Sequence, residues 1–295
     1  MGANLKEVRN RIKSVTNTQQ ITKAMKMVSA AKLRRAQDRI VQMRPYSNKL
    51  NDMLSNIVSG SSGDLSIDFA KDRDIKNVLL VVVTSDRGLC GGFNSNIIKV
   101  ARKAIAEKYS VQKEAGKLTI LPIGKKANEY FRRLNYNVNS DYYQLFSTLN
   151  FEQASKVSKF LMDKYSDKTY DKIEIFYSQF KNAATQIFTE EAFLPVAKVK
   201  PTAGKKTNKD FIFEPGKEEI LTYLIPKILN TQFFKVLLDS NASEHGARMT
   251  AMDKASENAN EMLKDLRITY NRARQAAITT ELNEIVSGAN ALAEA

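Results

Sequence analysis

Cysteine and histidine are almost missing from this chain: Cys90 and His245 are the only examples of each. A lone cysteine can neither close an internal disulfide nor build a cysteine-based metal cluster, and it fits a reducing compartment. A lone histidine excludes histidine-rich metal sites and leaves little scope for histidine-based catalysis. Long apolar runs are absent as well, and nothing approaches the ~20 residues needed to span a bilayer. The opening stretch, "MGANLKEVRN", has no apolar core of the kind a secretory signal carries, and Lys6 stands where a myristoylation motif requires Ser or Thr. The expectation is a protein that stays where it is made.

Glycine and proline are scarce in two long stretches. From Ala3 to Ser59 there is no glycine, and Pro45 is the only proline. Read as one helix, this arm is roughly 85 Å long at 1.5 Å per residue. Gly60 and the "SGSSGD" run close it. From Lys227 to Ser287 the pattern returns: Gly246 is the only internal breaker, Gly288 is a stop signal, and Pro226 predicts a kink or break just before. That second helix spans roughly 90 Å.

Both arms carry a thin apolar seam. Leu5, Val8, Ile12 and Val15 are spaced 3, 4, 3; the register then slips and resumes at Ile21, Met25 and Val28. Near the other end Met252, Ala255, Ala259, Met262, Leu266, Thr269, Ala273, Ala276 and Thr280 alternate 3 and 4. This is coiled-coil spacing, and so thin a stripe must be covered for such a helix to persist. Each end offers the other a matching seam, so an antiparallel pair is expected, with small alanines allowing close approach.

The charge is lopsided. Of a net +14, residues 1–59 hold twelve basic side chains against Glu7, Asp38 and Asp52, a local excess of +9. Such an arm calls for an acidic partner, either nucleic acid or an acidic protein surface.

Between the arms, residues 75–200 read as α/β. "KNVLLVVVT" and "LTILPIG" predict buried strands, and "NIIKVARKAIAEKY" and "FEQASKVSKFLMDKY" predict helices. "DKIEIFYSQF" and "IFTEEAFLPV" alternate as half-exposed strands. The order predicts a mostly parallel, Rossmann-like sheet. "KVKPTAGKKTNK" is a basic loop leading back to the second arm. The expected domains are a helix over 1–60, the α/β domain over 75–200 and a helix over 215–295.

"TSDRGLCGGFN" follows the first strand and could be mistaken for a phosphate cradle. Its glycines, Gly88, Gly91 and Gly92, fit neither G-x-G-x-x-G nor the P-loop, and no Lys-Ser/Thr pair follows. A tight strand-to-helix turn is expected, with Cys90 packed inside and Asp86 and Arg87 serving the turn or a surface contact. His245 beside Glu244 is expected to be solvated or partner-facing. Glu190 and Glu191 sit on a strand, where neighbours point to opposite faces. No catalytic constellation, cofactor site or metal site is read from the sequence.

Three blocks resemble the γ subunit of F-type ATP synthases: "LKEVRNRIKSVTNTQQITKAMKMVSAAKLRRAQ", "TSDRGLCGGFN" and "ARMTAMDKASENA…YNRARQAAITTELNEIVSGANAL". They occur in that family's order and spacing over essentially the whole chain. The resemblance implies a non-catalytic rotor shaft. It couples proton flow through the membrane-embedded c ring to ATP synthesis or hydrolysis on the β subunits, and itself binds no nucleotide. It implies α, β, ε and c-ring partners. Contacts with β fall at Lys23, Met25, Lys26, Arg248, Gln275 and Thr279, beside the basic run at Lys32, Arg34 and Arg35. The c-ring contacts fall at Phe211, Phe213 and Glu214. Arg248→Ala is then expected to weaken coupling while leaving the fold intact. Lys26, His245 and Lys209 depart from the family pattern. With no transit-like leader, the expected location is peripheral, on the cytoplasmic face of a bacterial inner membrane. Two other readings stay open on residues alone: a coiled-coil nucleic-acid binder, suggested by the basic arm, and a nucleotide-dependent α/β enzyme, suggested by residues 77–109.

Overall fold

The computed structural model of the chain describes residues 5–59, 69, 73–183, 185–196 and 217–293. The Gly60 exit, the basic loop with Lys209, and Phe211, Phe213 and Glu214 lie outside the described residues. Two compact units emerge: residues 1–28 with 249–295, and residues 29–248. The helix α1 (Leu5–Ser59) and the helix α6 (Lys217–Ala293) contribute to both.

The second unit is a doubly wound α/β sheet. The strands β1 (Val78–Val83), β2 (Leu118–Ile123), β3 (Asn137–Val138), β4 (Lys172–Phe180) and β5 (Gln186–Leu194) lie in the order β3-β2-β1-β4-β5. All pairs are parallel except β4 with β5, which form an antiparallel hairpin. The helices between them are α2 (Phe93–Lys108), the short α3 (Ser110–Glu114), α4 (Lys125–Arg133) and α5 (Phe151–Ser166). The "VLLVVV" run explains the centre of the sheet, because a strand covered on both faces must be apolar at every position. Val78, Leu80 and Val82 turn to one face, against Ile97, Ala101 and Ile105 of α2 and Phe131 of α4. Leu79, Val81 and Val83 turn to the other, against Val157 and Leu161 of α5 and Leu229 and Phe233 of α6.

β4 corrects an expectation. Its residues from Ile173 to Ser178 are all buried rather than alternately exposed, because both faces of this inner strand are covered. The hairpin partner β5 is the half-exposed one. Glu190 and Glu191 do point apart, Glu190 pairing with Lys108 of α2 and Glu191 accepting from Tyr177 and Gln232.

Neither proline nor glycine interrupts the long helices. α1 passes through Pro45, and α6 passes through Pro226 and continues beyond Gly288. The proline sites lack one backbone donor. At Pro226, burial of Leu224, Ile225, Ile228 and Leu229 against the sheet offsets that loss. Gly246 is not a breaker but a close approach: a Cβ there would stand 3.1 Å from the Ala183 carbonyl oxygen of the β4–β5 turn. Gly124, between β2 and α4, has φ 105°, and a Cβ would fall 2.1 Å from the Thr84 carbonyl oxygen. Only glycine fits such a backbone.

In the first unit α1 and α6 pair antiparallel. Arg9 donates to Tyr270 (3.0 Å), Gln19 to Asn260, and Lys26 binds Asp253 at 2.5 Å. Seventeen residues forward on one helix thus match seventeen backward on the other, so the register holds along the whole stretch. The seam itself differs from the expected one. On α1 it runs through Leu5, Val8, Ile12, Val15, Gln19 and Thr22 without a slip, and Ile21 (59% exposed) and Val28 stay outside. On α6 Met252, Ala259, Leu266 and Ala273 belong to it, but Ser256, Leu263 and Tyr270 replace Ala255, Met262 and Thr269. Apolar count alone misplaces the line, because buried polar residues stay in a seam when each finds a partner across it. Thr22 and Ser256, both buried, meet hydroxyl to hydroxyl at 2.7 Å.

Loss of one hydroxyl should therefore loosen the pair locally. Thr22→Val in the full chain is expected to cost about 1 kcal/mol, seen as about fivefold faster amide exchange over residues 249–263 by mass spectrometry. Adding Ser256→Ala should recover most of that loss.

Candidate functional site

The residues singled out for partner contact fall into separate places. Lys23 is exposed on α1, while Met25 and Lys26 are half-buried beside the seam, Lys26 spending its charge on Asp253. Gln275 and Thr279 are exposed on α6 and linked by one bond, the Thr279 hydroxyl donating to the Gln275 carbonyl at 3.0 Å. By the pairing register, Lys26 lies opposite residue 253, so Gln275 and Thr279 stand about 22–26 residues further along the coil, roughly 35 Å. The structure does not bring the two groups into one patch. From residue 274 every described side chain on α6 is exposed, among them Ile278, Leu282, Ile285 and Val286. Leu5 is the first described residue of α1, so the described part of α1 ends near where this exposure begins.

Arg248, in the second unit, is not at the surface. It is 8% exposed, and its guanidinium pairs with Glu244 one turn earlier at 2.6 Å. The same group donates to the carbonyls of Arg87 (2.9 Å) and Gly88 (3.2 Å). Arginine suits this task because its planar fork serves several acceptors at once. Burial raises the Glu244 pKa, and Arg248 offsets only part of that rise. The side chain thus braces the turn of its own unit.

That turn is built as a knot of small polar groups. The backbone N–H of Ser85 donates to Asn94 (2.9 Å), whose amide returns to the Ser85 hydroxyl (2.8 Å) and to the Cys90 sulfur (3.2 Å). Cys90 is buried as expected, and Leu89 and Gly91 take positive φ to fold the chain over it. Asp86 serves the turn by accepting from the N–H of Lys125 at the start of α4 (3.1 Å). At Arg87 and Gly88 the loop presents carbonyl oxygens to a cation. A phosphate cradle does the opposite, aiming N–H groups at an anion.

His245 is half-buried rather than fully solvated. Burial first, then the nearby Arg248 and Lys32, lower its pKa to about 4. It is therefore neutral at neutral pH, flanked by cations rather than by an orienting carboxylate. Among the described residues no cluster of His, Cys, Asp and Glu could hold a metal ion.

Sequence reasoning missed the polar layers Gln19–Asn260 and Thr22–Ser256 and the brace between Arg248 and the turn. The first pair of features was accessible in principle: a 3,4 count carried through polar positions on both arms aligns them when the arms are laid antiparallel. The brace had no local signal, since 160 residues separate its ends.

Removing the brace should unfold more than it exposes. Arg248→Ala leaves Glu244 buried without its cation and is expected to destabilise the second unit by about 3–5 kcal/mol in denaturant unfolding. The paired change Glu244→Gln with Arg248→Met should recover a large part of this.

Known proteins match this architecture. The ATP synthase family model covers residues 4–292. The ATP synthase gamma chain of Cytophaga hutchinsonii is 56% identical over 290 residues, 98% of each chain. That of Chlorobium phaeobacteroides is 48% identical over 293 residues, 98% of this chain and 99% of the other. A chain of the central stalk and c-ring structure of Tetrahymena thermophila mitochondrial ATP synthase aligns at TM-score 0.54 with 26% identity, covering 80% of this chain and 99% of that one. A chain of the Euglena gracilis mitochondrial OSCP/F1/c-ring structure shares the fold at TM-score 0.65 and 20% identity, over 98% and 94% of the two chains. Matched along nearly its whole length, this chain belongs to the ATP synthase gamma-chain family.

Proposed function

We propose that this chain is the central rotor shaft of a proton-driven ATP synthase, a mechanical subunit that supplies no catalytic group. The observation that carries the reading is the constant antiparallel register of α1 and α6 from Arg9–Tyr270 to Lys26–Asp253. Two helices joined by bonds across a continuous seam resist twisting, whereas a single helix would not transmit torque. The exposed end of α6, with Ile278, Leu282, Ile285 and Val286 uncovered, suits an apolar sleeve, which in this role is the ring of α and β subunits.

Contact with β is assigned to Lys23, Met25 and Lys26 on one level and to Gln275 and Thr279 on another. Two levels on one shaft allow β to be touched at two heights. Arg248 enters indirectly, by fixing the Arg87–Gly88 turn that the same partner would meet. The exposed cations Lys32, Arg34 and Arg35 supply attraction to an acidic loop of β. At the foot, Phe211, Phe213 and Glu214 are assigned to the c ring, and ε completes the stalk. No described helix is long and apolar enough to cross a membrane. Attachment is assigned to the c ring, on the cytoplasmic face of a bacterial inner membrane. Nucleotide is left to the α and β subunits.

The chain assembled with its cognate α and β subunits should co-purify as one copy per three of each. In inverted membrane vesicles, Gln275→Ala with Thr279→Ala is expected to lower ATP-driven proton pumping about fivefold, the worth of about 1 kcal/mol of lost polar contact. The isolated chain should show no saturable ATP binding in equilibrium dialysis. Micromolar binding to the isolated chain, or unchanged pumping in the variant, would contradict the assignment.

A further inference from the structure

α2 and α4 pack on the same sheet face, with Phe93, Ile97, Ala101 and Ile105 of α2 and Ala127 and Phe131 of α4 turned inward. Their outer edges line an open groove of ≈ 890 Å³. On α2 the residues reaching it include Ser95, Lys99, Arg102 and Ala106, spaced 4, 3, 4. On α4 they include Lys126, Tyr130 and Arg133, spaced 4, 3. Each set is therefore one face of its helix. The exposed Ala106 and the half-buried Tyr130 ring give the groove an apolar component between cationic rims, above the buried Ile98.

The charge is one-sided. Lys99, Arg102, Lys103, Lys126 and Arg133 line the groove against the single acid Glu129. Lys126 is held by Glu129 (2.7 Å) and Lys103 by Glu107 (3.8 Å). Arg102 donates only to the Tyr130 hydroxyl (3.1 Å), and Arg133 lies over the Tyr130 ring at 5.9 Å. Lys99, Arg102 and Arg133 have no acidic partner among the described residues. The tyrosine thus holds one guanidinium at its hydroxyl and another over its ring without neutralising either.

We propose that this groove docks an acidic amphipathic helix of a protein partner, whose carboxylates meet Lys99, Arg102 and Arg133 while its apolar face covers Ala106 and the Tyr130 ring. The stripe from Ser95 to Ala106 is about 16 Å long, room for three turns of helix. Both chemistries are needed together. A polyphosphate or nucleic-acid backbone would use the cations and gain nothing from the apolar floor, and a purely apolar helix would leave the cations uncompensated. The site lies outside every contact assigned above to β or the c ring.

The probe is a fluorescent synthetic helix with glutamates on one face and leucines on the other, titrated by anisotropy against the full-length chain. Lys99→Glu with Arg133→Glu should weaken binding about tenfold. The equal charge change Arg34→Glu with Arg35→Glu on α1 should alter it less than about twofold, which separates the groove from the basic arm. Replacing the leucines of the probe by serine should also weaken binding about tenfold. These factors correspond to about 1.4 kcal/mol each. Circular dichroism checks the fold; should the charge reversal disturb it, Lys99→Gln with Arg133→Gln replaces it and should still weaken binding about threefold. Equal loss from the α1 variant, or a serine probe that binds as well as the leucine one, overturns the proposal. So does displacement of the probe by tripolyphosphate, a DNA duplex or anionic phosphatidylglycerol vesicles at matched charge.

Discussion

The buried hydroxyl pair of Thr22 and Ser256, with Gln19–Asn260 on one side and Lys26–Asp253 on the other, fixes how the two long helices match. An apolar seam of alternating 3 and 4 spacing looks much the same after a shift of seven residues, so apolar contacts alone specify register weakly. Three successive polar contacts do not tolerate the shift. Displaced by a heptad, Thr22 and Ser256 would lose the bond across the seam, at about 1 kcal/mol, and keep only the bonds that each makes to a carbonyl of its own helix. The polar layers give up some hydrophobic stabilisation and return a single alignment, the best-attested use of polar residues in coiled coils. For a shaft this matters more than raw stability, because a seam that can slip cannot hold an angle under load.

The second unit relies on a different kind of fixing. Its sheet is an ordinary apolar core covered on both faces, and the irregular part is the turn from Thr84 to Gly92. One strained backbone position, Leu89, next to a left-handed Gly91, persists there because Asn94, Ser85 and Cys90 tie the loop from within and Arg248 ties it from α6. Glu244 makes this possible by partly compensating a guanidinium that would otherwise be buried alone. The turn that resembles a nucleotide loop in sequence is, in structure, a carbonyl-lined anchor for a cation.

Much of this was legible in the residues. Scarcity of glycine and proline marked both long helices, and "NVLLVVV" marked a strand buried on both faces. The antiparallel pairing followed from one uncovered seam at each end. Legibility failed where a local rule met a distant partner. Pro226 and Gly246 read as interruptions because their neighbours across space, the sheet core and the Ala183 carbonyl, are invisible locally. Ile21 and Val28 drew the α1 seam off its line because apolar character was counted without asking what Gln19 and Thr22 could bond. His245 and Arg248 looked like surface groups because nothing near them in sequence announces burial. The polar contacts assigned to partners stand on family likeness rather than on any periodicity.

The most direct test of the register is covalent. With Cys90 replaced by serine, Thr22→Cys with Ser256→Cys should form a disulfide rapidly and nearly completely under mild oxidation of the full chain. Thr22→Cys with Leu263→Cys, one heptad out of line, should not. Equal cross-linking of the two pairs would mean the helices slide past one another, and a shaft held in one alignment would no longer describe this protein.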